Sequence, residues 1–400
     1  MWKSACLMAF LLIFEVQANS CGITNVEGLV VSLKDTAEEK EFKAASSRYT
    51  RDWKERSLYR PRPEVGIGFE GNKDDFGKNE ITAEILFNLD EYRKYSLLKK
   101  SAEAEGELKS IEFKNSQTER LIEGASALFR RSQNAYFLKR IDSILLALDS
   151  SLKNYERRSL RSRDEEISLT SLKLMKKSML LKRNALEDEI SSDRAFLSRW
   201  NKQDCELKND ELLALLKEVK GRTKDLSQGS IKENELAYRA EFQKAQSDYE
   251  RKPRISNLKI GPTFAREKSE GASETRIGIA VSMDFPQFGK TAESSFNEVS
   301  GELAQVEKKI ALRELSTEKS ILEGRIARNL KMLEDLGQEK EESELQKMKK
   351  NFDQGLISPL VYLESYRNYV DSLESMIQAR NQVFESDLKL RGFYENNSLF

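Results

Sequence analysis

Apolar and polar residues alternate one by one in two separate parts of the chain. Ile277, Ile279, Val281, Met283 and Phe285 alternate with Arg276, Gly278, Ala280, Ser282 and Asp284. This period-2 pattern predicts a strand with one apolar face. Asn257 to Ala265 supplies a shorter apolar stretch, and a polar run to Glu274 separates the two, so a β-hairpin is predicted over 257–285. An earlier hairpin is predicted over 64–90. There, Val65, Ile67 and Phe69 alternate with Gly66, Gly68 and Glu70, and a charged stretch follows from Gly71 to Glu80. Ile81, Ala83, Ile85, Phe87 and Leu89 then alternate with Thr82, Glu84, Asn88 and Asp90, and Leu86 interrupts the polar face. Apart from Leu86, the second face is small or polar. A wall with lipid on one side and water on the other gives this pattern with strands of about 9–11 residues. A soluble sheet with one wet face gives it too.

Between the hairpins the period changes to three and four. Residues 26–60 read as helix up to Pro61 and Pro63. A proline-free run over 91–200 carries Ile141, Ile144, Leu145, Leu148, Leu152 and Tyr155, then Leu172, Met175, Met179, Leu186 and Ile190. Its first limb, at 1.5 Å per residue, would approach ~100 Å, which implies coiled-coil packing. The run breaks near Arg161–Ser168, with Glu165, Ile167 and Ser168 as turn residues and Ser168 as the cap of the returning helix. Residues 201–231 are polar and mixed, an equatorial segment of short elements. A helix then leads from Asn234 to Glu250, before Pro253.

A second helical hairpin is predicted over 291–395. Its stripe is Leu303, Val306, Ile310, Leu322, Ile326, Leu330 and Leu333. Its turn has Gly355 suited to a left-handed helix end, Ser358 at the cap and Pro359 at the first helical position. Leu363, Tyr366, Val370, Leu373, Ile377, Phe384 and Leu388 then form a heptad-like seam, and 396–400 reads as a tail. The order of helix, β-hairpin and long helical hairpin therefore occurs twice, over 21–231 and 232–395, an internal duplication.

Residues 1–20 read as a secretory signal peptide, with Lys3, an apolar core from Ala5 to Phe14, and small residues before Cys21. Cys21 reads two ways: as a lipid acceptor at the new N-terminus, or as an ordinary terminal cysteine, free or oxidised. Only Cys205 could pair with it in the mature chain, because Cys6 leaves with the signal. No later stretch approaches the ~18 apolar residues of a membrane-spanning helix. If this chain crosses a membrane, it does so as strands. Charged residues make up 34% of the chain, with 67 Lys+Arg against 67 Asp+Glu, so nothing points to nucleic acid as a partner. Histidine is absent, which removes the usual general base and the commonest metal ligand. No metal site, cofactor site or nucleophile dyad is legible, and the expectation is a protein without catalysis.

Pro253–Gly261 followed by Ile277–Pro286 resembles the strand pair of TolC-like outer-membrane efflux channels. Phe352–Arg367 resembles that family's turn between paired helices. Arg163–Leu172 is a weaker first-half copy, with Glu165 where the family has glycine. Asn234–Leu236, the second hairpin and a possible lipid cysteine lean toward the heavy-metal-efflux branch. The resemblance covers nearly all of 26–395. It implies a mostly α fold with a small β part, whose long helical hairpins form a periplasmic tunnel. Four strands per chain would contribute to a trimeric, twelve-stranded transmembrane barrel.

Such a homotrimer would serve a tripartite efflux or type I secretion system as a passive exit duct. It would dock on a periplasmic adaptor and an inner-membrane pump. Ile277, Ile279, Val281 and Phe285 would face lipid, and Gly278, Ala280 and Ser282 would line the lumen. The family's two acidic constriction positions, aligned from Gly355, fall on Val361 and Glu364, so only Glu364 is acidic. The alternative is a periplasmic coiled-coil adaptor or structural protein with no pore. An adaptor has one long helical hairpin, and this chain has two.

Overall fold

The computed structural model describes residues 19–20, 22–34, 37–56, 62–71, 79–157, 163–202, 204–221, 230–250, 258–269, 272–283, 292–336, 338–354 and 356–395. The elements run β1 (Asn19–Ser20), α1 (Val26–Lys34), α2 (Ala37–Arg56), β2 (Glu64–Gly71), β3 (Asn79–Asn88), α3 (Leu89–Arg157) and α4 (Arg163–Leu197). Then come β4 (Cys205–Glu206), α5 (Asn209–Gly221), α6 (Ile231–Glu250), β5 (Lys259–Ser269), β6 (Ala272–Ser282), α7 (Ala292–Leu336), α8 (Gln338–Asp353) and α9 (Pro359–Lys389). A π-helical turn, Leu390–Tyr394, closes the described chain. No described helix is long and apolar enough to cross a membrane.

The chain divides into two compact units. One comprises Met1–Glu39, Gln117–Gln228 and Glu318–Phe400, and the other Lys40–Ser116 and Gly229–Thr317. Each unit therefore draws on both repeats.

The first unit is helical, with two apolar clusters. In one, Val26, Leu29, Val30 and Leu33 of α1 are all fully buried. Their three-and-four spacing puts them on one face of the helix. They meet Leu212, Leu215 and Val219 of α5, Leu121, Leu128 and Phe129 of α3, and Val383, Phe384 and Leu388 of α9. The Phe129 and Phe384 rings stack at 4.2 Å. The other cluster joins Ile141 and Leu148 of α3, Leu172 and Met179 of α4, and Tyr362, Val370, Leu373 and Ile377 of α9.

Polar staples hold the same elements. Arg130 of α3 grips Asp193 of α4 with two N–H donors, and this bond raises the arginine's pKa further. Glu218 of α5 accepts the Val26 N–H at 2.9 Å and an Arg391 N–H at 2.7 Å, while Arg391 also donates to Asp387 at 2.7 Å. The start of α1 and the closing π-helical turn are thus both tied to the Glu218 carboxylate of α5.

The second unit carries a four-stranded antiparallel sheet in the order β2-β3-β5-β6. Each hairpin pairs its own strands, and β3 pairs with β5 to join them. Between Glu84↔Thr263 and Phe87↔Ile260 the β3–β5 register is interrupted. Pro262 has no N–H to give to the ladder, and a Cβ on residue 261 would run into the Ile85 carbonyl oxygen, so Gly261 is required there. Asn88 ends β3 and caps α3, its Oδ1 accepting the Asp90 and Glu91 N–H groups at 3.1 and 3.3 Å.

Several expectations are corrected. Over 26–60 the described residues are helical in α1, Val26–Lys34, and α2, Ala37–Arg56, and residues 35–36 and 57–60 lie outside the described residues. The first hairpin's second strand ends at Asn88, not at 90, because the Asn88 cap starts α3 at once. In the second hairpin, much of the polar run that separates the two apolar stretches is itself paired. Arg266 pairs with Thr275 and Glu267 with Glu274, so backbone pairing carries the strands to Ser269 and Ala272.

Glu165, Ile167 and Ser168 are not turn residues. They lie in the opening turns of α4, which starts at Arg163. The acidic run 164–166 favours a helix N-terminus through the macrodipole, which places the start ahead of Ser168. Residues 158–162 lie outside the described residues, as do Gly355, Phe285 and the tail 396–400.

Candidate functional site

The sheet has two chemically distinct faces. Residues paired across antiparallel strands share a face, so the register carries each strand's alternation to its neighbours. Val65↔Ile85, Phe69↔Ile81, Ala83↔Phe264, Phe87↔Ile260, Phe264↔Ile277, Pro262↔Ile279 and Ile260↔Val281 place the alternating apolar residues of the paired strands on one face. That face is uncovered, with Ile277 82% exposed, Ile279 77% and Phe69 76%. An exposed apolar surface of this extent on a sheet marks a contact with lipid or protein.

The opposite face carries Gly66, Gly68, Thr82, Glu84, Thr263, Gly278, Ala280 and Ser282. Within it lies a feature that alternation alone does not reveal. Glu70 pairs with Glu80, Glu80 with Glu267, and Glu267 with Glu274. One row across all four strands is therefore glutamate. Arg276 donates to Glu274 at 3.0 Å and stands 3.5 Å from Glu267. The row sits toward the hairpin turns, at the end of the strands away from α3 and α7. Each strand shows only one or two of its members, and the β3–β5 register that assembles them joins distant parts of the sequence.

Unpartnered apolar residues continue on helices of each unit. Val299, Leu303, Val306 and Ile310 of α7 are spaced four, three and four apart, and all are at least half exposed. Ile167, Leu174 and Leu181 of α4 are exposed at intervals of seven. Leu330 and Leu333, later in the α7 stripe, instead pack into the first apolar cluster.

At the helical tip, Ser358 is the N-cap of α9, its hydroxyl accepting the Val361 N–H, and Pro359 is the first helical residue. Tyr362 and Leu363 are buried, whereas Val361 and Glu364 are exposed. Phe352 and Tyr362 stack at 4.1 Å across the turn. Among the described residues no group of acidic, histidine or cysteine side chains is arranged to hold a metal ion. Cys21 lies outside the described residues; Cys205 is disulfide-bonded.

No family model matches the sequence, and no curated protein does. Solved structures match over almost the whole chain. The open state of the Neisseria gonorrhoeae MtrE outer membrane channel aligns with a TM-score of 0.64 at 11% identity, covering 91% of this chain and 87% of that one. This chain has the TolC-like outer-membrane channel fold. A membrane protein from Pseudomonas aeruginosa gives 0.63 at 13% identity, over 94% of this chain and 93% of that one. CusC, whose transmembrane channel formation has been described, gives 0.60 at 12% identity, over 92% of each chain. The channel fold accounts for the mostly helical chain, the small sheet and the pairing of each hairpin with long helices.

Proposed function

We propose that three copies of this chain close a barrel in an outer membrane and continue it as a helical tunnel through the periplasm. The observation that carries this reading is the uncovered sheet. Its apolar face has no helix over it, and its outer strands β2 and β6 have one partner each among the described residues. Open strand edges are not tolerated in lipid. Three copies of four strands, twelve in all, provide a closed wall. Lipid then covers Ile277, Ile279 and Val281, and Gly278, Ala280 and Ser282 line water. The exposed stripes of α7 and α4 supply helical surface for neighbouring copies.

The duct is passive and has no chemistry of its own. Its role is the outer-membrane channel of a tripartite efflux or type I secretion system, with a periplasmic adaptor and an inner-membrane pump at the helical tips. The test is extraction and mass. The protein, made in a Gram-negative host, should require detergent for release from the outer membrane and have about three times the monomer mass. A water-soluble monomer released without detergent would overturn the channel and favour a periplasmic coiled-coil adaptor or structural protein.

A further inference from the structure

A groove of about 380 Å³ lies among α3, α8 and α9 of the first unit. Small-molecule sites begin at roughly 300 Å³. On α3, Arg140, Ser143, Ala147 and Ser150 line it at three- and four-residue spacing, which puts them on one helix face. Leu345 and Lys349 of α8, four apart, and Tyr366 and Tyr369 of α9, three apart, complete the walls by the same rule. We propose that this groove binds a small aromatic acid, a carboxylate or sulfonate, with its anionic group on Arg140 and Lys349 and its ring against Tyr366 and Tyr369.

Charge is the first ground. Among the described residues that line the groove there are two cations, Arg140 and Lys349, and no carboxylate. The whole chain balances 67 Lys+Arg against 67 Asp+Glu, so the groove is a local excess of positive charge. Acids on the same helices are engaged elsewhere. Asp142 of α3 accepts from Arg183 of α4 at 2.8 Å, and Asp149 pairs with Lys176 of α4 at 2.7 Å. On α9, Glu374 binds Lys182 and Asp371 stands 4.0 Å from Arg367. An anion in the groove therefore meets two cations with no lining carboxylate to repel it.

The walls supply the second ground. Arg140 donates from Nε and Nη2 to Tyr136 Oη at 3.2 and 2.9 Å, which holds its guanidinium in place. Such a planar fork suits the oxygens of a carboxylate or sulfonate, and the ammonium of the exposed Lys349 adds a point charge on a flexible stem. Tyr366 is only 4% exposed and meets Tyr362 edge-on at 4.7 Å, so its ring is a fixed surface. Leu146, 73% exposed, adds apolar area. An inorganic anion would leave this aromatic and aliphatic wall wet, whereas an aromatic acid covers it and stacks on the tyrosines. The groove lies within one unit of one chain, so the proposal stands apart from the channel reading.

The experiment is a calorimetric titration of the full chain, purified in nonionic detergent, with naphthalene-2-sulfonate. Heat from titrating detergent alone is subtracted. Wild type should bind saturably, one molecule per chain. Arg140→Gln and Lys349→Gln should each weaken binding roughly tenfold, the usual consequence of losing a charge-assisted contact. Lys350→Gln removes the same charge from the neighbouring position of α8, outside the groove, and should bind as wild type. Naphthalene-2-methanol, which keeps the ring without the charge, and inorganic sulfate, which keeps the charge without the ring, should each bind far more weakly than the sulfonate. Non-saturating uptake by wild type would overturn the proposal. So would equal affinity in Lys349→Gln and wild type, or naphthalene-2-methanol binding as tightly as the sulfonate. Lys349 is exposed, so its variant decides even if Arg140→Gln fails to fold.

Discussion

Glu80 stands opposite Glu267 in the pairing of β3 with β5. Like charges placed directly across a strand pair disfavour the sheet, and here the row extends to Glu70 on one side and Glu274 on the other. The Arg276 guanidinium, close to both Glu267 and Glu274, offsets part of the repulsion. In a closed trimer the row becomes an acidic girdle near one mouth of the barrel. Carboxylate rings favour cations.

Glu80→Gln with Glu267→Gln should lower the cation preference of the trimer in planar-bilayer recordings. The pair should also stabilise the sheet by roughly 0.2–1 kcal/mol for each relieved contact. Arg276→Gln should do the reverse on both counts. Reversal potentials equal to wild type in both variants would remove the row from the conducting path.

The strand faces give a second prediction. Val281→Arg puts a charge on the apolar face, where arginine at mid-membrane costs roughly 2–4 kcal/mol. Ser282→Arg puts it on the polar face. Trimer yield from outer membranes should fall for the first and hold for the second. Equal yields would mean that the apolar face does not meet lipid.

What the sequence made legible followed local periodicity. Strand faces at Ile277–Ser282, the helical stripes and the Ser358–Pro359 start of α9 all depend on neighbours within a few residues. The end of the first hairpin reads to residue 90 because Leu89 and Asp90 continue the strand alternation while Asn88 already caps a helix, and the start of α4 reads at Ser168 because a hydroxyl cap is a stronger local signal than the acidic run that opens the helix at Arg163. The extension of β5 and β6 through Glu267 and Glu274 was hidden because backbone pairing holds polar residues that alternation would discard. The glutamate row needed the β3–β5 register, which no local pattern encodes.

Arg391 supplies a third prediction. Its guanidinium is buried and holds Asp387, whose side chain is 2% exposed, together with Glu218. Arg391→Met leaves the Asp387 carboxylate buried without its cation, a change that typically costs about 3–5 kcal/mol. Thermal melting should drop sharply. Arg391→Met combined with Asp387→Leu should recover much of the loss, because an apolar pair removes the stranded charge. A single variant melting like wild type would show that the network contributes little.

A fourth prediction concerns alkaline pH. Tyr394 Oη donates to the Glu318 carboxylate, and burial, followed by that bond and the carboxylate's charge, pushes the phenol's pKa up from its ordinary value near 10. The folded protein thus holds this proton more tightly than the unfolded chain. The corresponding stability is fully present below about pH 10 and is lost as pH rises through the higher folded value. Tyr394→Phe should therefore be less stable than wild type at neutral pH, with the gap closing at strongly alkaline pH. In tyrosinate absorbance titrations, wild type should show one late-titrating phenol that the variant lacks. Identical titrations would place Tyr394 outside the bond.

The last prediction concerns the helical tip. Glu364 lies in the first turns of α9, exposed beside the buried Tyr362 and Leu363. The Ser358 cap and the stacking of Phe352 on Tyr362 fix the start of that helix, so the direction of Glu364 is set by packing on the opposite side. Under threefold symmetry three such carboxylates would converge at the periplasmic mouth. Val361, half exposed and uncharged, occupies the other position where the resembled family has an acid. One ring in place of two should give modest cation selectivity, since each ring adds its own field. Glu364→Ala should weaken the cation preference in bilayer recordings, and Glu364→Lys should shift it further toward anions. The response should add to that of the Glu80 and Glu267 variants, because distant sites act independently. Reversal potentials equal to wild type in both Glu364 variants would place this carboxylate in solvent between helices and leave the acidic girdle of the sheet as the only charged constriction to test.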